Sequence, residues 1–125
     1  MNKIRMIALA ACMAATLDAS AQEQEIRLFS HRGGRMEHDE NTLSAFQASY
    51  DAGYRGFETD IRMTRDGALV ITHDSSLERT TNGTGTVEEK TEAEIRRLRT
   101  KQGNKVLFLD ELLEFLEGKE GLYVE

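Results

Sequence analysis

Two histidines, a pair of carboxylates and an arginine stand at the ends of short apolar runs in this sequence. Their types and spacing suit phosphate chemistry. His31-Arg32-Gly33-Gly34 closes the run that begins at Ile26, Glu58 and Asp60 lie within Gly56-Phe57-Glu58-Thr59-Asp60-Ile61-Arg62, and His73-Asp74 ends the run from Leu69. Strand side chains alternate between faces. An extended 56–62 segment therefore puts Phe57, Thr59 and Ile61 on one face and Glu58 and Asp60 on the other. Two anions a few ångströms apart repel unless water or a cation separates them. A strand with a wet polar face meets that demand as well as a metal site does. The histidines and the arginine nearby favour metal-assisted phosphate chemistry.

Composition narrows the choice. The chain has 125 residues, 39% hydrophobic and 30% charged, enough for one modest core. A net charge of −6, from 16 Lys and Arg against 22 Asp and Glu, gives no general attraction to nucleic acid or to an anionic membrane. An anionic substrate would need local cations or a metal. Proline is absent altogether.

The first 21 residues read as a targeting segment. Lys3 and Arg5 form a positive start, Met6 to Leu17 is an apolar run too short to span a bilayer, and Ala19-Ser20-Ala21 supplies a small-residue cleavage site before Gln22. Leu9-Ala10-Ala11-Cys12 also resembles the lipobox of bacterial lipoproteins, which would anchor the protein to lipid through Cys12. Only six apolar residues precede Cys12. That is below the usual run of roughly 7–15, so ordinary cleavage is the preferred expectation. The protein is then periplasmic or secreted, with membrane anchoring as the alternative and no transmembrane span. Cys12 is the single cysteine. Cleavage after Ala21 leaves no thiol for a disulfide, a zinc site or a nucleophile.

The elements that must position the chemistry alternate between strand and helix. Ile26 to Ser30 reads as a first strand with His31 at its end. Asn41 to Asp51 reads as a helix, with Leu43, Phe46 and Tyr50 on one stripe, Asn41 or Thr42 as cap, and Gly53 beyond its end. Phe57 to Ile61 is the second strand and Leu69 to His73 the next, the latter with Leu69, Ile71 and His73 on one face. Asp66-Gly67 marks a turn between them. Asn82-Gly83-Thr84-Gly85 is a loop, and Thr91 to Glu94 is a capping box for a short helix lined by Ile95 and Leu98. Asp110 caps a further helix with Leu112, Leu113 and Leu116 on its stripe, and Gly121 to Glu125 starts another strand. The alternation predicts a parallel α/β architecture. No helix separates Asp60 from His73, so that stretch must run away and back, returning both residues to the same end of the sheet, where active sites of such folds lie.

Together these motifs resemble the glycerophosphodiester phosphodiesterase family from Leu28 to Glu125. The matching pieces are His31-Arg32-Gly33-Gly34, Glu40-Asn41-Thr42 with Ala45 and Phe46, Gly53 with Gly56, and Phe57 to Ile61. Thr64 with Asp66-Gly67, His73-Asp74, and Leu77 with Arg79-Thr80-Thr81 and Gly83 complete the match. Asp39 stands where the family usually has proline, which implies a changed loop conformation there.

The resemblance implies a TIM barrel, present here as its N-terminal part, because such barrels take about 250 residues. Residues 1–21 would be the signal peptide and 22–125 the partial barrel, which alone is expected to be inactive. The implied reaction is metal-dependent hydrolysis of small-molecule glycerophosphodiesters to glycerol 3-phosphate and an alcohol. The alternatives are a related barrel enzyme acting on phosphoinositide or sphingomyelin-type lipids, or a non-catalytic phosphate- or glycan-binding barrel.

By the resemblance, Glu58, Asp60 and Glu125 are ligands of a hard divalent cation, Ca2+ or Mg2+. His31 and His73 are the general acid and base, in an order the sequence leaves open. Arg32 is expected to clamp the substrate phosphate. Glu40 and Asn41 are expected to cap the first helix and support the site, while Gly33 and Gly83 serve backbone geometry near the ligand. His38 is a loop residue, and Arg79-Thr80-Thr81 has no assigned role.

Overall fold

The computed structural model describes residues 26–119 and 123–124. The targeting segment, Cys12 and Glu125 lie outside the described residues. Strands β1 (Phe29–His31), β2 (Gly56–Glu58) and β5 (Tyr123–Val124) form a parallel sheet in the order β1-β2-β5. Strands β3 (Ile61–Met63) and β4 (Leu69–Ile71) form a separate antiparallel pair. Among the described residues, helices α1 (Leu43–Asp51), α2 (Glu92–Arg96) and α3 (Leu109–Leu116) and a 3-10 turn at Val87–Glu89 accompany the strands.

The expected strand Phe57 to Ile61 is divided. Thr59 and Asp60 belong to neither β2 nor β3, so Glu58 and Asp60 do not share one strand face. Phe57 is fully buried while Ile61 is half exposed, which also removes them from a common face. The physical reason is the change of partner. β2 pairs with β1 and β5, whereas β3 leaves that sheet to pair with β4, and the chain must bend between them. β1 likewise lies later than expected and includes His31, and β4 stops at Ile71, short of His73. The expected return holds: the Thr72 N–H donates to the Asp60 carbonyl at 2.9 Å, so His73 comes back beside Asp60. Gly67, at φ +93°, closes the turn between β3 and β4.

Two apolar clusters meet along β4. Ile71 packs with Phe46, Phe57, Leu107, Leu112 and Phe115, and its neighbour Val70 packs with Leu77, Val87, Ile95, Val106 and Phe108. The alternation of a strand thus sends consecutive residues into different clusters. Phe46 of α1 meets Phe57 of β2 edge-on, with ring centroids 5.5 Å apart, and this contact seats the helix on the sheet.

Helix caps follow local chemistry. Thr42, not Asn41, is the N-cap of α1 and accepts the Ala45 N–H at 3.3 Å. The Thr91–Glu94 box forms as read. Asp110 does not cap α3. The helix starts two residues earlier than that reading requires, and Glu111 accepts the Phe108 N–H at 3.0 Å while Asp110 pairs with Arg96. The buried stripe of α3 is Leu112 and Phe115, and Leu113 faces outward.

Candidate active site

The site is assembled where β1 and β2 end side by side. Their parallel register places His31 opposite Glu58. His31 Nε2 is 3.6 Å from Glu58 Oε2. Immediately after His31 the chain turns through Arg32, at φ +52°, and Gly33, at φ +76°. A Cβ on Gly33 would come within 2.8 Å of the Ala45 Cβ, so only glycine lets this turn lie against α1. Gly83 answers to packing as well. Its added Cβ would come within 2.5 Å of a Leu98 methyl group.

Arg32 is not a surface ion pair. It is 7% exposed. Its Nη1 donates to Glu40 Oε1 at 3.3 Å, and its Nε lies 3.2 Å from Asp60 Oδ2 but out of line for a hydrogen bond. A buried guanidinium nitrogen without an aligned acceptor is costly unless something else completes it. A non-glycine residue in the left-handed region is itself uncommon and tends to be held at functional sites.

Asp60 receives a second contact from Asn41 Nδ2 at 3.2 Å, while Asn41 Oδ1 accepts from Thr59 Oγ1 at 3.1 Å. Asn41, at φ +57°, is thus buried to hold the link between β2 and β3, not to cap the helix. Glu40 does not cap either. It bridges Arg32 and Arg79, with Arg79 Nη2 to Oε1 at 2.8 Å and Nη1 to Oε2 at 3.0 Å. Hydrogen bonding from Arg79 lowers the Glu40 pKa below the ordinary glutamate value, and the charges of Arg79 and Arg32 add to that effect against desolvation.

On the far side of this chain of contacts, His73 Nδ1 is 2.7 Å from Asp74 Oδ1, and Asp74 Oδ2 accepts from Arg79 Nε. Arg79 first and His73 second hold the Asp74 carboxyl well below the usual range. The six proposed site residues therefore divide by placement. His31, Arg32, Glu58 and Asp60 converge in direct contact, and His73 joins them through Asp74, Arg79 and Glu40. Glu125 lies outside the described residues. His38 is an exposed loop residue.

Sequence reasoning missed Arg79 as a component of this cluster. Its one signal was a position in a matching motif five residues beyond Asp74, and no spacing rule links it to Glu40.

The donor set suits a hard cation. Glu58 and Asp60 are both oxygen donors, partly open to solvent, and engage their neighbours through one oxygen each, Oε2 and Oδ2. Among the described residues no three acidic, histidine or cysteine side chains converge as a complete metal site.

Parallel strands joined through helices, with polar groups gathered where the strands end, define an α/β fold with a polar site at its strand ends. The chain belongs to the glycerophosphoryl diester phosphodiesterase family, whose model matches residues 31–122. A glycerophosphodiester phosphodiesterase of Caldanaerobacter subterraneus is 42% identical over 71 residues, which make up 57% of this chain and 29% of that one. The solved structure of a glycerophosphodiester phosphodiesterase from Agrobacterium tumefaciens superposes with a TM-score of 0.73 at 36% identity, over 80% of this chain and 46% of that one. A phosphodiesterase of Oleispira antarctica, solved with its product sn-glycerol-3-phosphate, gives 0.73 at 28% identity, over 80% and 43%. The fold is part of a TIM barrel, and the chain spans less than half the length of these proteins. Among the described residues no helix is long and apolar enough to cross a membrane.

Proposed function

We propose that this chain supplies the first half of the active site of a phosphoric diester hydrolase, and that the complete barrel cleaves glycerophosphodiesters to glycerol 3-phosphate and an alcohol. Glu58 and Asp60, with Glu125, hold a divalent cation, Ca2+ or Mg2+. When bound, the cation neutralises charge on the phosphate and polarises it for in-line attack. Arg32 binds a phosphate oxygen. His31 and His73 move the protons: one ring takes a proton from the attacking hydroxyl, and the other gives one to the alcohol oxygen as its bond to phosphorus breaks.

The observation that carries this reading is Arg32. Its guanidinium is buried between the carboxylates of Glu40 and Asp60, with Nε left without an aligned acceptor. A phosphate oxygen at the mouth of the site would be met by the remaining N–H groups of this guanidinium, whose fork matches phosphate geometry. Residues 1–21 act as an export signal, so the protein works in the periplasm or outside the cell. Lipid attachment at Cys12 is the alternative. The direct test is an assay of the complete barrel against glycerophosphocholine with added Mg2+ or Ca2+. Release of glycerol 3-phosphate that chelator abolishes supports the reading. Cleavage of sphingomyelin or phosphoinositide alone, or no cleavage of any diester, overturns it.

A further inference from the structure

We infer that Arg79 is a positioning residue that locks the His73 imidazole and the Arg32 guanidinium into one hydrogen-bonded unit; the inference rests on the phosphodiesterase reading of the site. Two observations carry it. Both oxygens of Asp74 are used, Oδ1 by His73 Nδ1 at 2.7 Å and Oδ2 by Arg79 Nε. Both oxygens of Glu40 are used as well, Oε2 by Arg79 Nη1 at 3.0 Å and Oε1 by Arg79 Nη2 at 2.8 Å and Arg32 Nη1 at 3.3 Å. Arg79 thus spends three donors on two carboxylates from distant parts of the chain. Glu40 comes from the loop before α1, and Asp74 follows β4.

The geometry fixes a tautomer. Asp74 stays ionised at neutral pH because Arg79 and His73 hydrogen-bond its charged form. An ionised carboxylate can only accept, so His73 Nδ1 must carry hydrogen and Nε2 is left to exchange a proton with the reacting atoms. Without Arg79, Asp74 keeps its charge and loses its fixed direction, and the imidazole can rotate or change tautomer. On the other side, Glu40 loses its bidentate partner and holds Arg32 by one bond alone.

An ordinary exposed ion pair does little, and the Arg79 side chain is 47% exposed. The Glu40 side chain, however, is only 13% exposed, and the fork is planar and bidentate. Lysine has a point charge and cannot span both carboxylates in this way.

The test uses the complete barrel with saturating Mg2+. Arg79→Ala is expected to lower kcat by about 10–100-fold, by analogy with the loss of a group that orients a metal-ligating histidine. KM is expected to change less than kcat, and calorimetric Mg2+ affinity to stay the same. Millimolar guanidinium chloride should restore part of kcat in Arg79→Ala, and Arg79→Lys should remain impaired. Independently of turnover, 15N chemical shifts of His73 should report one Nδ1–H tautomer in the unaltered protein and a mixture in Arg79→Ala. Should Arg79→Ala fail to fold, Arg79→Gln keeps much of the stem and carries the same measurements.

An active unaltered protein whose Arg79 variants retain kcat within about twofold and an unchanged His73 tautomer overturns the inference. An unaltered protein inert toward glycerophosphodiesters overturns the phosphodiesterase reading instead. In that case the tautomer measurement still decides whether Arg79 orients His73.

Discussion

The backbone N–H of Arg32 is shared between two oxygens of Glu58, its carbonyl at 3.0 Å and its Oε2 at 3.2 Å. The bond that ends the β1–β2 ladder therefore also orients the carboxylate offered to a cation. Arg32 can serve both because its backbone turns to φ +52° as the chain leaves β1. The same turn sends its side chain toward Glu40 and Asp60. One residue thus engages three acidic side chains, one through its main chain and two through its guanidinium.

If Glu58 and Asp60 hold the cation, Glu58→Gln and Asp60→Asn in the complete barrel keep size and remove charge. Each is expected to weaken Mg2+ or Ca2+ binding measured by calorimetry and to cut activity strongly. Unchanged affinity in both variants would mean that the pair is a solvated polar edge.

For the histidines, His31→Ala and His73→Ala are each expected to lower kcat by about 10²–10⁴, the usual share of general acid–base catalysis. Divalent-ion binding should survive in both, because the ligands are carboxylates. The double variant should fall little below the worse single one, since residues acting as a unit are not additive. Near-normal turnover in His73→Ala would end the two-histidine mechanism.

Asn41 separates backbone from side chain. Its φ of +57° suits asparagine or glycine, and its amide holds Asp60. Asn41→Ala loses both and is expected to cost about 1–3 kcal/mol in denaturant unfolding. Asn41→Gly should recover much of that stability without recovering cation affinity. Equal stability of the two variants would show that the backbone conformation carries no strain.

Asp39 acts as a latch. Its Oδ2 accepts from Thr100 Oγ1 and from Asn104 Nδ2, the latter at 2.8 Å, tying the loop before α1 to the 100–104 turn. Asp39→Ala should cost about 1.5–3 kcal/mol, the range for hydrogen bonds to a charged group. Amide exchange should accelerate at residues 100–104 and not in β2. Uniform acceleration would point to general destabilisation instead.

Acid should dissolve the Glu40–Arg79–Asp74 cluster in a defined direction. The pKa of each carboxyl lies below its ordinary value of 4.5 or 3.8, in both cases chiefly through hydrogen bonds from Arg79. A carboxyl with a depressed folded pKa adds stability above its unfolded pKa and loses it as pH falls through the folded one. The melting temperature of the unaltered protein should therefore exceed that of Arg79→Ala by its full margin above about pH 4.5, and the gap should close on further acidification. A gap independent of pH would show that Arg79 stabilises through packing alone.

The sequence alone supplied the candidate site residues, and it established a helix ending at Asp51 (read from Asn41, found from Leu43), the capping box at Thr91 and the return of His73 to the level of Asp60. These are legible because caps, turn residues and helical periodicity act over a few positions. Tertiary structure decided the rest. Glu58 and Asp60 looked like one strand face, yet the chain changes sheets between them, because β3 finds its partner in β4 and not in β1. Leu113 looked equivalent to Leu112, yet only Leu112 meets the Phe46–Phe57 cluster. Nothing in the sequence joined Arg79 to Glu40, since that partner lies 39 residues away and is brought to it only by the packing of α1 and β4 around a shared core. Periodicity records which side of an element is buried. It does not record which distant group waits there, because that pairing is set by the folded chain and not by local spacing.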